Sequence, residues 1–310
     1  MSSSKTVKSL GIAYFVLCLL FFTACSNNKK NEHSLRLAYI PNVTHAVPLV
    51  GIKKNFFQES LGEKIKLKPV HFVVGNSIID AFITNQIDIA YIGPGPYINA
   101  LYRKVPIKLL SNACNGGTLL VGTVVNPSLN DGLRIAVPQY GNTQDLLLRV
   151  YLEKKNLSDK TKVIAIPSQD VGTTFFTMSL DAACLPEPWG TILLDKKACS
   201  VLADEKEILN NGNYPTTVLV VNKNYAEKNP DAILNFLSAH NKTIEYINEH
   251  NDESVNVITE SIKAIAKKEV KTNIILKAFK RCSFTSKIDS NILKEFKIIG
   301  VKTGYYKDGF

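Results

Sequence analysis

The 310 residues include one Trp, two Met and only five Arg (Arg36, Arg103, Arg134, Arg149 and Arg281). The formal charge of +10 is therefore carried by Lys, and the scarcity of Arg speaks against a nucleic-acid reader, which depends on guanidinium forks at base edges. No nucleic-acid partner is expected. There are six Cys but no Cys-x-x-Cys pair and no His at ligand spacing from a Cys, which argues against a zinc site. Walker loops, His-Glu-x-x-His and Gly-x-Ser-x-Gly are all missing. The chain accordingly reads as a non-enzyme with no catalytic residue, no metal and no cofactor. The composition, 45% apolar with 17 Gly and 13 Pro, is that of a globular protein and excludes disorder, collagen and a polytopic membrane protein.

What the N-terminus does contain is directional. Lys5 and Lys8 precede an apolar run, Leu10 to Ala24, followed by Cys25 and a polar stretch to His33. This is the charged and apolar pattern of a secretory signal, and the run is shorter than the roughly 20 residues a membrane span needs. Phe22-Thr23-Ala24-Cys25 resembles a bacterial lipoprotein processing site, with Phe22 where Leu is usual. The expectation is a signal peptide over 1–24, lipidation at Cys25 and a flexible tether over 25–33. An uncleaved signal anchor is the alternative. The chain would then work in the bacterial cell envelope, on the periplasmic or extracellular face, lipid-anchored to the membrane. Cys114, Cys184, Cys199 and Cys282 read as buried thiols; a bridge between Cys184 and Cys199 is compatible with an oxidising compartment. Twelve basic residues lie between Lys263 and Lys307, either a solvated face or one attracted to anionic surfaces.

The hydropathy pattern alternates strand and helix. Leu35–Ile40, Ile65–Val73 and Ile87–Ile92 read as strands, with helices over Val47–Leu61 and Ser77–Asn85. The alternation restarts at strand Arg134–Val137, continues through helix Thr143–Lys155, strand Lys162–Ile166 and helix Val171–Met178, and ends at strand Asp181–Leu185. Two α/β lobes with mainly parallel sheets follow. Thr118–Val125 and Thr216–Asn222 read as a pair of extended crossovers, and helices Pro230–Glu249 and Glu253–Lys268 as packing on the first lobe. The expected organisation is 34–122 for lobe one, 123–215 for lobe two, and 216–310 returning to lobe one.

Several stretches carry a family likeness: Tyr39-Ile40-Pro41-Asn42-Val43-Thr44-His45-Ala46, Tyr91-Ile92-Gly93-Pro94, Asn115-Gly116-Gly117, Gly141-Asn142-Thr143-Gln144-Asp145, Glu187-Pro188-Trp189-Gly190 and Tyr214-Pro215-Thr216-Thr217. On these residues, over about 34 to 250, the chain resembles the substrate-binding proteins of ABC importers in the nitrate, sulfonate and taurine group. Asn76 stands where relatives more often have Pro. The resemblance implies a two-lobe periplasmic-binding-protein-like α/β fold of type II, with two crossover strands as hinge. It also implies a monomer that binds a small-molecule anion, such as an aliphatic sulfonate or taurine, and delivers it to permease and ATPase subunits. A nitrate or phosphonate relative, and an enzyme or binding protein of thiamine-pyrimidine metabolism on the same scaffold, are the alternatives.

The chemistry of these stretches gives the candidate site. Gly141-Asn142-Thr143-Gln144 joins a strand to a helix, aiming free N–H groups and the positive helix end at a cleft, which suits an anion; Asn142 or Thr143 can equally be only a cap. Gly75-Asn76 is the equivalent turn in the first lobe. Thr44 and His45 follow the first strand, where α/β sheets bind ligands. Tyr91 either reaches a ligand or plugs the sheet end beside Gly93, and Gly116-Gly117 serve either close backbone approach or the hinge. Glu187 with Trp189 can hold a cationic group by charge and cation–π attraction, or can start a helix and fill the core.

Overall fold

The computed structural model describes residues 33–123, 132–177, 180–197, 199–266 and 269–310. The signal segment, Cys25 and the expected tether lie outside these residues, except His33. Strand β1 (His33–Tyr39) leads through a 3₁₀ turn, Val43–His45, into α1 (Ala46–Lys53) and α2 (Phe56–Leu61). The sequence pattern predicts one helix here; it breaks at Asn55, whose φ of 62° is left-handed, a region Asn tolerates because its short side chain bonds locally. Next come β2 (Ile65–His71), α3 (Gly75–Ile83), β3 (Ile89–Ile92) and α4 (Pro94–Tyr102), which Pro94 starts from the first helical position. Strand β4 (Ile107–Gly116) then runs almost directly into β5 (Thr118–Thr123).

The second set comprises β6 (Arg134–Val137), α5 (Thr143–Lys154), β7 (Lys162–Ala165), α6 (Val171–Thr177), β8 (Ala182–Pro186), α7 (Trp189–Asp195), β9 (Cys199–Ala203) and α8 (Glu205–Ile208). The chain returns in β10 (Pro215–Asn222) and finishes with α9 (Lys223–Lys228), α10 (Pro230–Glu249), α11 (Asn251–Ala266), α12 (Thr272–Phe279), β11 (Cys282–Ser283) and α13 (Ser290–Lys302).

Two mixed sheets result, in the orders β11-β4-β10-β3-β1-β2 and β7-β6-β8-β5-β9. β1 and β3 are parallel, as are β6, β7 and β8, but β10 runs antiparallel to β3 and β4, and β5 antiparallel to β8 and β9. The returning strand thus lies inside the first sheet, and its sequence shows why. Val218 and Val220 fill one apolar cluster, Leu219 and Val221 another, and all four are buried; alternate residues point to opposite faces, so both must be covered. On one face α10 buries Ala232, Ile233, Phe236, Ala239, Ile244 and Ile247, a stripe at helical spacing, and Phe236 stacks on Phe57 of α2 at 4.5 Å. α10 and α11 therefore pack on the first sheet, whereas Ile292, Phe296 and Ile299 of α13 join the cluster of α5 and the second sheet.

The crossings between sheets lie side by side. Gly116 and Gly117 have φ of 72° and 67°, and Gly116 N–H donates to the carbonyl of Tyr214, just before β10, at 3.0 Å. Cys184 on β8 and Cys199 on β9 are free thiols. β5 separates their strands, and two strand spacings of about 4.8 Å each exceed a disulfide's Cα reach.

Candidate functional site

Parallel strands of both sheets end at one cavity of about 410 Å³. Its walls are the turns after β1, β2 and β3 on one side and after β6, β7 and β8 on the other, closed by Thr216 of β10 and by Ile262 and Ile265 of α11. Loops following parallel strands converge in this way because every strand of the set delivers its carboxyl end to the same edge.

In the first wall Asn42 caps the 3₁₀ turn: its Oδ1 accepts from His45 N–H at 3.1 Å and from the Thr44 hydroxyl at 2.9 Å. Val43 N–H donates to the Glu187 carbonyl at 3.1 Å and ties the turn to β8. His45 Nδ1 accepts from Ile40 N–H at 3.3 Å, which places the imidazole proton on Nε2. Burial pushes the His45 pKa down to about 3, so the ring is a neutral donor, not a cation.

In the second wall Asn142 Oδ1 accepts from Asp145 N–H at 2.9 Å and caps α5. The N–H groups of Thr143 and Gln144 are left without intrahelical acceptors. Thr143 Oγ1 accepts from Gly95 N–H at 3.3 Å across the cavity, so its hydroxyl hydrogen is available to a ligand. This approach requires glycine: a Cβ on Gly93 would lie 2.2 Å from Thr143 Oγ1, and one on Gly95 2.6 Å from the Asn142 carbonyl carbon. Gln144 reaches Thr118 Oγ1 at 3.3 Å.

Of the residues singled out in the sequence, Thr44, His45, Gly93, Asn142, Thr143, Gln144 and Trp189 line the cavity. The others do not. Glu187 is fully buried; its two oxygens accept from Thr191 N–H at 3.1 Å and Thr191 Oγ1 at 2.8 Å. Arg281 Nε lies 3.3 Å from Glu187 Oε1 as an ion pair, without hydrogen-bond alignment. Glu187 thus holds the start of α7, and the reading that places it against a ligand cation is corrected. Tyr91 is also in the core, its hydroxyl 2.8 Å from His240 Nδ1. Asn76 accepts from Asn99 at 3.2 Å rather than facing the cavity. Gly141 spends its N–H on Asp145 Oδ2 at 2.7 Å. Gly116 and Gly117 serve the crossing: a Cβ on Gly117 would meet Cys282 Sγ at 2.6 Å and Thr44 Cγ2 at 2.9 Å.

The sequence reading missed Ser168–Asp170, which follow β7 as Gly141–Gln144 follow β6, so the same strand-to-helix logic could have found them. It also missed Thr216, Phe72, Ile262 and Ile265; the periodicity of α11 does not distinguish a residue facing a cavity from one facing the core. Among the described residues no Lys or Arg lines the cavity, and Asp170 is the one carboxylate that does. Among the described residues no group of three or more His, Cys, Asp or Glu is placed to hold a metal ion, and no helix is long and apolar enough to cross a membrane.

Comparison with known proteins agrees with this geometry. A Bacillus subtilis (strain 168) protein named for binding aliphatic sulfonates is 24% identical over 231 residues, covering 72% of this chain and 68% of its own. The taurine-binding periplasmic protein of Escherichia coli K12 is 27% identical over 169 residues, 53% of this chain and 52% of its own. In structure, the periplasmic nitrate-binding protein NrtA of Synechocystis PCC 6803 superposes with a TM-score of 0.76 at 14% identity, over 90% of this chain and 83% of that one. The two-sheet architecture is therefore the periplasmic-binding-protein fold. The profile of the NMT1-like family matches residues 28–262, most of the described chain, and the protein belongs to that family.

Proposed function

We propose that the chain is the extracytoplasmic solute-binding component of an ABC importer, anchored through Cys25, that carries a small organic anion of the aliphatic sulfonate or taurine type to its permease. The observation that carries this reading is the neutral, donor-rich wall. The His45 Nε2–H, the Thr143 hydroxyl and the first N–H groups of α5 converge on one cavity that no Lys or Arg among the described residues lines. Neutral donors replace the hydration of a weakly basic monoanion such as a sulfonate, whereas a dianionic phosphate calls for Arg or Lys. The volume of about 410 Å³ leaves room beyond an anionic head, and Phe72, Ile262 and Ile265 supply an apolar wall for a carbon chain. Asp170 and the Trp189 indole replace Glu187 as partners for an amino group at the far end. The named ligands of the relatives, sulfonates, taurine and nitrate, fall in the same chemical range.

Calorimetric titration of the mature chain with taurine, butanesulfonate, nitrate, inorganic phosphate and an aminopyrimidine tests this directly. Taurine or butanesulfonate should bind most tightly. Asp170→Asn should weaken taurine by ~1 kcal/mol, the value of an exposed charge pair, and leave butanesulfonate unchanged. Binding of phosphate or the aminopyrimidine in preference to every sulfonate overturns the reading.

A further inference from the structure

The turn that presents Thr143 and Gln144 is held from behind by residues that do not touch the cavity. Asp145 is fully buried, and its carboxylate accepts from Gly141 N–H at 2.7 Å, from the Tyr305 hydroxyl at 2.6 Å and from Arg149 Nε at 2.8 Å. Arg149 also donates to the Tyr305 oxygen at 2.7 Å, and its guanidinium carbon lies 5.1 Å from the Tyr305 ring centre. The Tyr305 oxygen therefore accepts one hydrogen bond and donates its own proton to Asp145. Burial, followed by the adjacent carboxylate, pushes its pKa up, so the proton stays in place.

Tyr305 arrives here through a glycine stop. Gly304, with φ of 77°, ends α13, and Tyr305 N–H turns back to the Gly300 carbonyl at 2.8 Å. Beyond it, Tyr306 and Phe310 each pack against Tyr102 of α4 with ring centres 5.1 Å apart. One short segment after α13 thus touches both α4 and α5, the two helices whose first turns meet through Gly95 and Thr143.

We infer that Tyr305, 160 residues along the chain from its partner Asp145, is a positioning residue of the ligand site: its hydroxyl holds Asp145 against the Gly141 N–H and keeps the first turn of α5 aimed at the cavity. The inference rests on the proposed function for its effect on affinity and on geometry alone for its effect on the turn.

The test combines two readouts on Tyr305→Phe, which removes one oxygen, with Arg149→Lys as a second variant should the first not fold. Taurine titration should show affinity weakened about three- to tenfold, part of the worth of a hydrogen bond to a buried carboxylate, together with a lower thermal midpoint. Amide exchange of Gly141, followed by NMR in the unliganded chain, should accelerate in the same variant. A lower melting point with affinity and Gly141 exchange unmoved marks Tyr305 as merely structural and overturns the inference, as does a change in only one of the two readouts. Should the wild type bind no ligand of the panel, the proposed function fails, and Gly141 exchange alone decides: acceleration upholds the positioning role, and no change overturns it.

Discussion

Glu187 is a carboxylate without water around it. Burial, only partly offset by the Thr191 hydrogen bonds and by Arg281, pushes its pKa from 4.5 up to about 7. Below pH 4.5 the folded and unfolded chains both carry the proton; between 4.5 and 7 only the folded chain does, so rising pH favours unfolding. Urea titrations across this window should show stability falling by ~3 kcal/mol, and Glu187→Gln should flatten the profile; an unchanged slope in the variant would show that Glu187 is not its source. The same residue marks the limit of reading side chains from sequence. Asn142-Thr143-Gln144 was legible because a strand-to-helix turn leaves the first N–H groups of its helix free, although Gly141 beside them turned out to spend its N–H on Asp145. Whether the Glu187 carboxylate points outward or inward depended on Thr191, four residues on, and on Arg281, nearly a hundred residues away. No local signal links either of them to Glu187.

At the scale of elements, strand and helix alternation was read correctly wherever apolar periodicity was strong, as in β6, α5 and α10. It failed where one residue's backbone decided, at Asn55 between α1 and α2, and it assigned no strand at β9 or at β11, which is only two residues long. The sheets were expected to be mainly parallel, but hydropathy carries no strand direction, and β5 and β10 proved antiparallel to their neighbours. The tandem glycines at the β4 to β5 crossing carry the sharpest element-level prediction. Gly117→Ala would combine a left-handed φ of 67° with a Cβ only 2.6 Å from Cys282 Sγ. Adopting that φ with a side chain costs about 1 to 2 kcal/mol before any clash. Chemical denaturation should show at least that loss. Wild-type stability in the variant would mean that the crossing relaxes freely.

For the molecule as a whole, two adjacent crossings join the two sheets, and we expect the walls of the cavity to part and close about them, a ligand that touches both walls favouring the closed form. Small-angle scattering should give a smaller radius of gyration at saturating taurine, and an unchanged profile alongside calorimetrically proven binding would contradict closure. The position of β10 has a further consequence, one of timing. A chain made from its N-terminus produces β1, β3 and β4 about a hundred residues or more before the strand that belongs between β3 and β4. Until Pro215–Asn222 emerges, the first sheet is two fragments with open edges facing each other, and the nascent chain has no completed layer on which to build the second. Folding must wait for the return strand, the contacts it makes are distant in sequence, and such topologies fold slowly. The protein can therefore acquire affinity for its ligand only after roughly two-thirds of its length has been made.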